Sequence, residues 1–405
     1  MKRSVSMLVV GAAALSAAAC EKSPDAATGS PSKVLKLVSS LPRTGSANAQ
    51  TTTMVNGIRM AIDEVGGKID DWTIVYEDMD DASPQRGNWD PAVETQNAQK
   101  SAADRTVVGY IGTFNSGASK ISMPILNSAG LPMVSPANTW PGLTKPGLGE
   151  ANEPMSYRPT GSINYFRVVP TDDMQGKAAA EWARELGVSS VYILHDRELY
   201  GKGIADFFKR ECEGLGIKVH GFEGIDPKAS NYKSLVVKMQ ALSPDLVYFG
   251  GTTQNNAGQI AKDMRAAGMQ AKFMVPDGCF EKAFIEAAGA DNVNGNTYVT
   301  FGGLPAKELT GKGAAFREAY VKQYQQEPEA YAVYGYEAAR VMIDAMKRAA
   351  TKDRAGILKA LAATKDFDGA LGRWSFDENG DTTNRIMSGN MVKDGEFVFV
   401  KKLGG

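Results

Sequence analysis

The fold class this chain of 405 residues predicts is α/β, with two doubly wound lobes in one polypeptide. Three observations predict it. Short apolar runs alternate with segments of helical period, a rhythm that builds a mostly parallel sheet with helices on both faces. The rhythm completes one series and then begins again. Past a separable N-terminus about 370 residues remain, which suits about two domains.

The elements follow in order. Val34 to Ser39 reads as a strand and Thr51 to Val65 as a helix with Met54, Ile58, Ala61 and Val65 on its apolar face. Trp72 to Tyr76 is a strand, Pro91 to Ala103 a helix, Thr106 to Ile111 a strand, Gly117 to Ala129 a helix and Pro132 to Ser135 a strand. Pro141 to Ser162 breaks the rhythm: rich in Gly, Pro and Asn, it reads as a long loop, either a functional lid or a surface insertion. The second series runs through strands at Ser189–His195, Lys218–Phe222, Leu246–Gly250 and Phe273–Val275. Helices at Gly203–Leu215, Tyr232–Leu242 and Ala257–Ala267 alternate with them. Helices at Gly313–Gln325 and Tyr331–Ala349 and a hairpin around Val392 to Val400 complete the chain.

The N-terminus has the layout of a secretory signal: Lys2 and Arg3, the apolar run Met7 to Leu15, then small residues into Cys20. That run is too short to span a bilayer. Small residues leading into a Cys resemble a bacterial lipobox, with Ala17 where that pattern prefers Leu, so residues 1–20 are expected to be a lipoprotein signal ending at a lipidated Cys20. An ordinary cleaved signal is the alternative. Residues 21–33, rich in Ser, Pro, Ala, Gly and charge, read as a flexible tether. No later apolar run is long enough for a membrane helix, so the expected membrane link is the lipid anchor alone.

Composition excludes some functions. The formal net charge is −1 and becomes more negative once Lys2 and Arg3 are removed, so nothing favours a nucleic-acid partner. The two His, His195 and His220, have no metal-ligand spacing, and neither a metal nor a cofactor is expected. Cys212 and Cys279 remain besides Cys20; an oxidising compartment permits a bond between them, and sequence leaves their pairing open. There is no P-loop, no GxSxG, no HExxH, no CxxC and no dinucleotide fingerprint after the first strand.

Polar residues gather instead after the strands, the edge where open α/β sheets bind ligands. Thr113-Phe114-Asn115-Ser116-Gly117 enters a helix, where free backbone N–H groups and the Ser116 hydroxyl suit an anion, although Ser also favours that position as a simple cap. Ser135-Pro136-Ala137-Asn138-Thr139 follows another strand. In the second series Tyr200-Gly201, Gly250-Gly251-Thr252 and Pro276-Asp277-Gly278 hold the equivalent places. Taken singly each has an ordinary turn or cap reading; together they point both series at one cleft.

The stretches Asn56-Gly57-Ile58-Arg59-Met60-Ala61, Phe166-Arg167, Leu199-Tyr200-Gly201, Asp245-Leu246-Val247-Tyr248-Phe249-Gly250-Gly251, Tyr334-Gly335-Tyr336-Glu337-Ala338 and Phe376-Asp377-Glu378-Asn379-Gly380-Asp381 give the chain a likeness to a known family. From about Val34 to Val400 it resembles the periplasmic leucine/isoleucine/valine-binding proteins, the solute receptors of branched-chain amino-acid and amide ABC importers. That resemblance implies a type I periplasmic binding fold, two Rossmann-like lobes joined by a three-crossover hinge. It implies lobes of 34–169 plus 303–385 and of 170–302 plus 386–405, which close on a ligand. It implies an ABC permease and ATPase as partners, an extracytoplasmic site of work, and binding rather than catalysis. Among the residues, Ser116 and Thr139 match hydroxyls that hold an α-carboxylate. The Ala137 carbonyl, beside Asn138, matches an acceptor for the α-ammonium, and Asp277 matches the acid that neutralises it. Tyr200 and Tyr331 match contacts to the ligand side chain. Gln50 and Thr252 stand where leucine-type proteins carry aromatics, and Asp277 is one methylene shorter than their Glu, so the ligand is either a branched-chain amino acid or a related amide, peptide or carboxylate. A sensor module of the same fold, or an amide hydrolase built on Asp277 or Asp80, are the other function classes.

Overall fold

A computed structural model describes residues 33–404. The expected signal, the lipidated Cys20 and all of the tether but Lys33 lie outside the described residues.

From Val34 onward the chain alternates as its periodicity predicts. β1 (Val34–Leu41) leads into α1 (Asn48–Asp63), β2 (Lys68–Ile69) and β3 (Trp72–Asp80). The small β4–β5 hairpin (Ala82–Ser83 with Asn88–Trp89) then precedes α2 (Pro91–Ala103). α2 starts where it does because Pro91 is tolerated in a first turn and the Asp90 carboxylate accepts from the Ala92 N–H at 2.8 Å. β6 (Val107–Gly112) is buried along its whole length, the pattern of a central parallel strand. α3 (Ser116–Ser128), β7 (Met133–Ser135) and β8 (Tyr165–Arg167) complete a six-stranded sheet of order β2-β3-β1-β6-β7-β8.

The second sheet has seven strands. After α4 (Asp172–Glu185) come β9 (Ser190–His195), α5 (Leu199–Gly214), β10 (Lys218–Gly224), α6 (Lys233–Leu242), β11 (Leu246–Gly250), α7 (Ala257–Ala266) and β12 (Lys272–Val275). The short helices α8 (Lys282–Ala288) and α9 (Ala290–Val293) lead to β13 (Thr297–Phe301). The chain then returns to the first sheet through α10 (Lys312–Tyr324), α11 (Ala332–Arg348), α12 (Arg354–Ala362) and the β14–β15 hairpin (Phe367–Gly369 with Gly372–Trp374). It finishes as β16 (Met387–Lys393) and β17 (Glu396–Leu403), antiparallel strands on the far edge of the second sheet.

The return is fixed by packing. α11 lies against α1 so closely that a Cβ on Gly57 would collide with the Ala332 carbonyl, and one on Gly335 with the Met54 carbonyl. Arg354, at the start of α12, donates to the carbonyls of Ser101, Ala102, Asp104, Val107 and Ala129, covering the C-terminal ends of α2 and α3. α3 is thereby held at its far end, which matters because its near end lies at the cleft.

Several expectations need correction. α5 begins four residues earlier than Gly203, so Tyr200 and Gly201 sit in its first turn. α4, α12, β8 and β13 went unread. β8 is only three residues long. The segment from Pro141 to Ser162 contains two 3₁₀ turns, Pro141–Leu143 and Met155–Tyr157, and closes on the buried Glu153. Cys212 and Cys279 are both free and buried.

Candidate functional site

In both sheets the site lies beyond the C-terminal ends of adjacent strands. β1 pairs with β3 on one side and β6 on the other, and β7 follows β6, so the loops after β6 and β7 are neighbours. In the second sheet β11 lies between β9 and β12, which sets Tyr200, Thr252 and Asp277 side by side. The two edges meet at a small cavity lined by Phe114, Asn115, Ser116, Ala137, Tyr200, Thr252, Asp277, Gly278 and Tyr331.

One end of the cavity suits an anion. α3 starts at Ser116, and the Ser116 and Gly117 N–H groups of its first turn have no partner within the helix, while the Ala118 N–H donates to the Asn115 carbonyl at 3.0 Å. The Ser116 hydroxyl oxygen accepts from the Trp140 N–H at 3.4 Å, leaving its own proton to donate. The loops after β6 and β7 are locked together behind it. Ser135 Oγ donates to the Thr113 carbonyl at 3.1 Å and accepts from the Asn138 N–H at 2.9 Å. Asn138 Nδ2 donates to the Thr113 and Phe114 carbonyls, both at 3.0 Å.

The other end suits a cation. Asp277 is 3% exposed and accepts from the Tyr200 hydroxyl at 2.6 Å and from the Tyr331 hydroxyl. Burial pushes its carboxyl up, against the pull of the two phenols. Burial and the Asp277 charge in turn push both phenols well above their usual range, so they remain protonated donors. Asp172, at the start of α4, is fully buried with neither oxygen hydrogen-bonded; burial raises its carboxyl well above normal and Asp277 adds to the shift. A bound ammonium would supply Asp277 with the positive charge its two phenols do not bring, whereas Asp172 does not line the cavity.

Six of the nine ligand residues expected from sequence therefore line one cavity: Ser116, Ala137, Tyr200, Thr252, Asp277 and Tyr331. Three do not. Asn138 is a strut between loops, with its amide spent on Thr113 and Phe114 and its carbonyl accepting from Arg167 at 3.0 Å. Thr139 is buried behind the cavity, its carbonyl accepting from the Asp172 N–H at 2.9 Å and its hydroxyl unpaired. Gln50 is fully buried with both amide atoms unpaired, and it does not reach the cavity wall. Sequence reasoning did not single out the walls Phe114 and Asn115, although both lie in the stretch quoted ahead of α3. It also missed why two quoted motifs belong together. Arg167 and Asp381 form a buried ion pair, Nε to Oδ1 at 2.6 Å, and Arg167 Nη1 donates to the Asn138 and Trp140 carbonyls.

Among the described residues no group of three or more His, Cys, Asp or Glu is placed to hold a metal ion, and no helix is long and apolar enough to cross a membrane.

Two α/β lobes with anion and cation receptors on one shared cavity define a solute-binding protein. Comparison with known proteins agrees. The sequence model of the periplasmic binding protein family matches residues 35–396. The Leu/Ile/Val-binding protein homolog 1 of Brucella suis biovar 1 (strain 1330) is 31% identical over 349 residues, covering 84% of this chain and 85% of that protein. The leucine-binding protein LivK of Thermotoga maritima superposes with a TM-score of 0.81 at 26% identity, covering 91% of this chain and 99% of that one. LivJ of Streptococcus pneumoniae, solved with isoleucine, gives 0.77 at 26% identity, covering 91% and 100%. A Rhodopseudomonas palustris solute-binding protein solved with benzoate gives 0.76 at 19% identity, covering 91% and 96%, and shares the fold alone. The chain belongs to the branched-chain amino-acid group of periplasmic binding proteins and is a substrate-binding protein.

Proposed function

We propose that this protein captures an α-amino acid outside the cytoplasm and presents it to an ABC permease and its ATPase. The observation that carries the proposal is the opposition of two receptors across one small cavity: the α3 start with Ser116, and Asp277 with its two phenols. A zwitterion satisfies both at once, and each charge is compensated as it leaves water. The Ala137 carbonyl adds an acceptor for the ammonium. The lobes that close are 34–169 with 303–385, and 170–302 with 386–405, turning about the three crossovers. Binding without turnover is the role; the relatives are named as binding proteins. Cys20 anchors the mature chain to the membrane through lipid.

The test is thermal unfolding of refolded, ligand-stripped protein against amino acids, amides, short peptides and aromatic acids. A ligand at ~100 times its Kd stabilises by about 2.7 kcal/mol. A shift with α-amino acids supports the zwitterion site. A shift only with another class keeps the receptor and discards the ammonium contact. For the anchor, Cys20→Ser protein is expected to leave the membrane fraction; its retention there refutes lipidation.

A further inference from the structure

Trp140 follows the ligand loop directly, yet its ring does not enter the cavity. It reaches across to α5, which packs on the opposite sheet. Gly203 and Phe207 are one turn apart on one face of that helix. A Cβ on Gly203 would fall well inside contact distance of the indole carbons, and Phe207 flanks the ring at 6.1 Å between centroids. The missing side chain at Gly203 is thus a socket shaped for the indole.

The indole is held from behind. Its Nε1–H donates to Glu153 Oε2 at 2.9 Å. Glu153 is itself fixed by the Glu150 N–H at 2.9 Å, by the Tyr157 hydroxyl and by Lys120 at 2.9 Å. Gly142 and Gly149 approach the same carboxylate so closely that neither tolerates a Cβ. The Gly- and Pro-rich segment after Trp140 is therefore a brace folded around one buried acid. It also connects to the ligand end: Lys120 lies one turn along α3 from Ser116, and Ser116 Oγ accepts from the Trp140 N–H.

We propose that Trp140, braced by Glu153, is a clamp between the lobes that docks into the Gly203 socket and slows release of ligand from a cavity it does not touch. The proposal rests on the reading that the lobes close on a ligand. Trp140 and Glu153 are positioning residues in this scheme.

The test is a cycle of Trp140→Ala, Gly203→Ala and the double variant in the full chain carrying Cys20→Ser, with L-leucine as probe. Gly203→Ala favours the helix by propensity but collides with the indole, so a purely structural role for Gly203 predicts lost stability with unchanged leucine dissociation. The clamp predicts the opposite: Gly203→Ala and Trp140→Ala each speed leucine dissociation at least tenfold. Gly203→Ala then has less than a twofold effect in the Trp140→Ala background, where nothing remains to collide. Equal effects of Gly203→Ala in both backgrounds, or no effect in either, overturn the clamp. Small-angle scattering of the unliganded proteins separates this from the ligand assignment. The clamp predicts a larger radius of gyration for each single variant than for the parent, and coincident curves overturn it. A parent that binds no leucine but shows this difference refutes leucine as ligand and leaves the clamp standing.

Discussion

Asp277 is the residue on which the proposed recognition turns. Two phenols hold its carboxylate, and neither brings a positive charge. Asp277→Ala is expected to weaken an amino-acid ligand by at least ~2 kcal/mol, read by calorimetry, because the ammonium then loses its buried counter-charge. Unchanged affinity would mean that the ligand has no amine there. Ser116→Ala is expected to cost less, about 1 kcal/mol, since the backbone donors of α3 remain. Gln50, which the resemblance places at the ligand, is fully buried and is not among the residues that line the cavity. Ser116, Ala137, Tyr200, Thr252 and Asp277 were legible because each follows a strand whose apolar run is plain in the sequence; Tyr331, ahead of α11, came from the resemblance.

At the scale of elements, the ligand loop after β7 is held by a side chain from β8. Arg167 clamps the Asn138 and Trp140 carbonyls and pairs with Asp381 on the way to the last crossover. Removing one partner leaves an uncompensated buried charge, so Asp381→Ala is expected to destabilise by ~3–5 kcal/mol in chemical denaturation and to weaken ligand binding with it. A loss below ~1 kcal/mol would show that the pair is dispensable. The sequence contained both motifs, Phe166-Arg167 and the Asp377-to-Asp381 run, but 214 positions separate the partners and no local pattern joins them. The loop from Pro141 to Ser162 was similarly opaque. Its order comes from Glu153, a contact network with no periodicity to betray it. Most long helices and buried parallel strands were legible, since their period is set by their own backbone geometry, with α4 and β13 the exceptions.

For the molecule as a whole, buried acids shape the dependence of stability on pH. Burial pushes Glu94, Asp196 and Glu281 each to about 7. Between their ordinary range and pH 7 the folded protein retains these protons and the unfolded chain does not. Stability of the unliganded protein is therefore expected to fall as pH rises from about 5 to 7, then level off. His195, lowered by burial, opposes this weakly over the same window. Denaturant titrations at pH 5 and 7.5 check the sign, and Glu281→Gln is expected to flatten the slope; a stability that climbs from pH 5 to 7.5 would contradict it.

The most direct test of the central claim is calorimetric binding of α-amino acids to ligand-stripped protein, beside counterparts lacking either the amine or the carboxylate. Two receptors on one cavity predict that an α-amino acid binds and that deleting either charged group weakens it by ~2 kcal/mol or more, about thirtyfold. An acid without the amine binding as tightly as its amino acid, or no α-amino acid binding at all, would contradict the account.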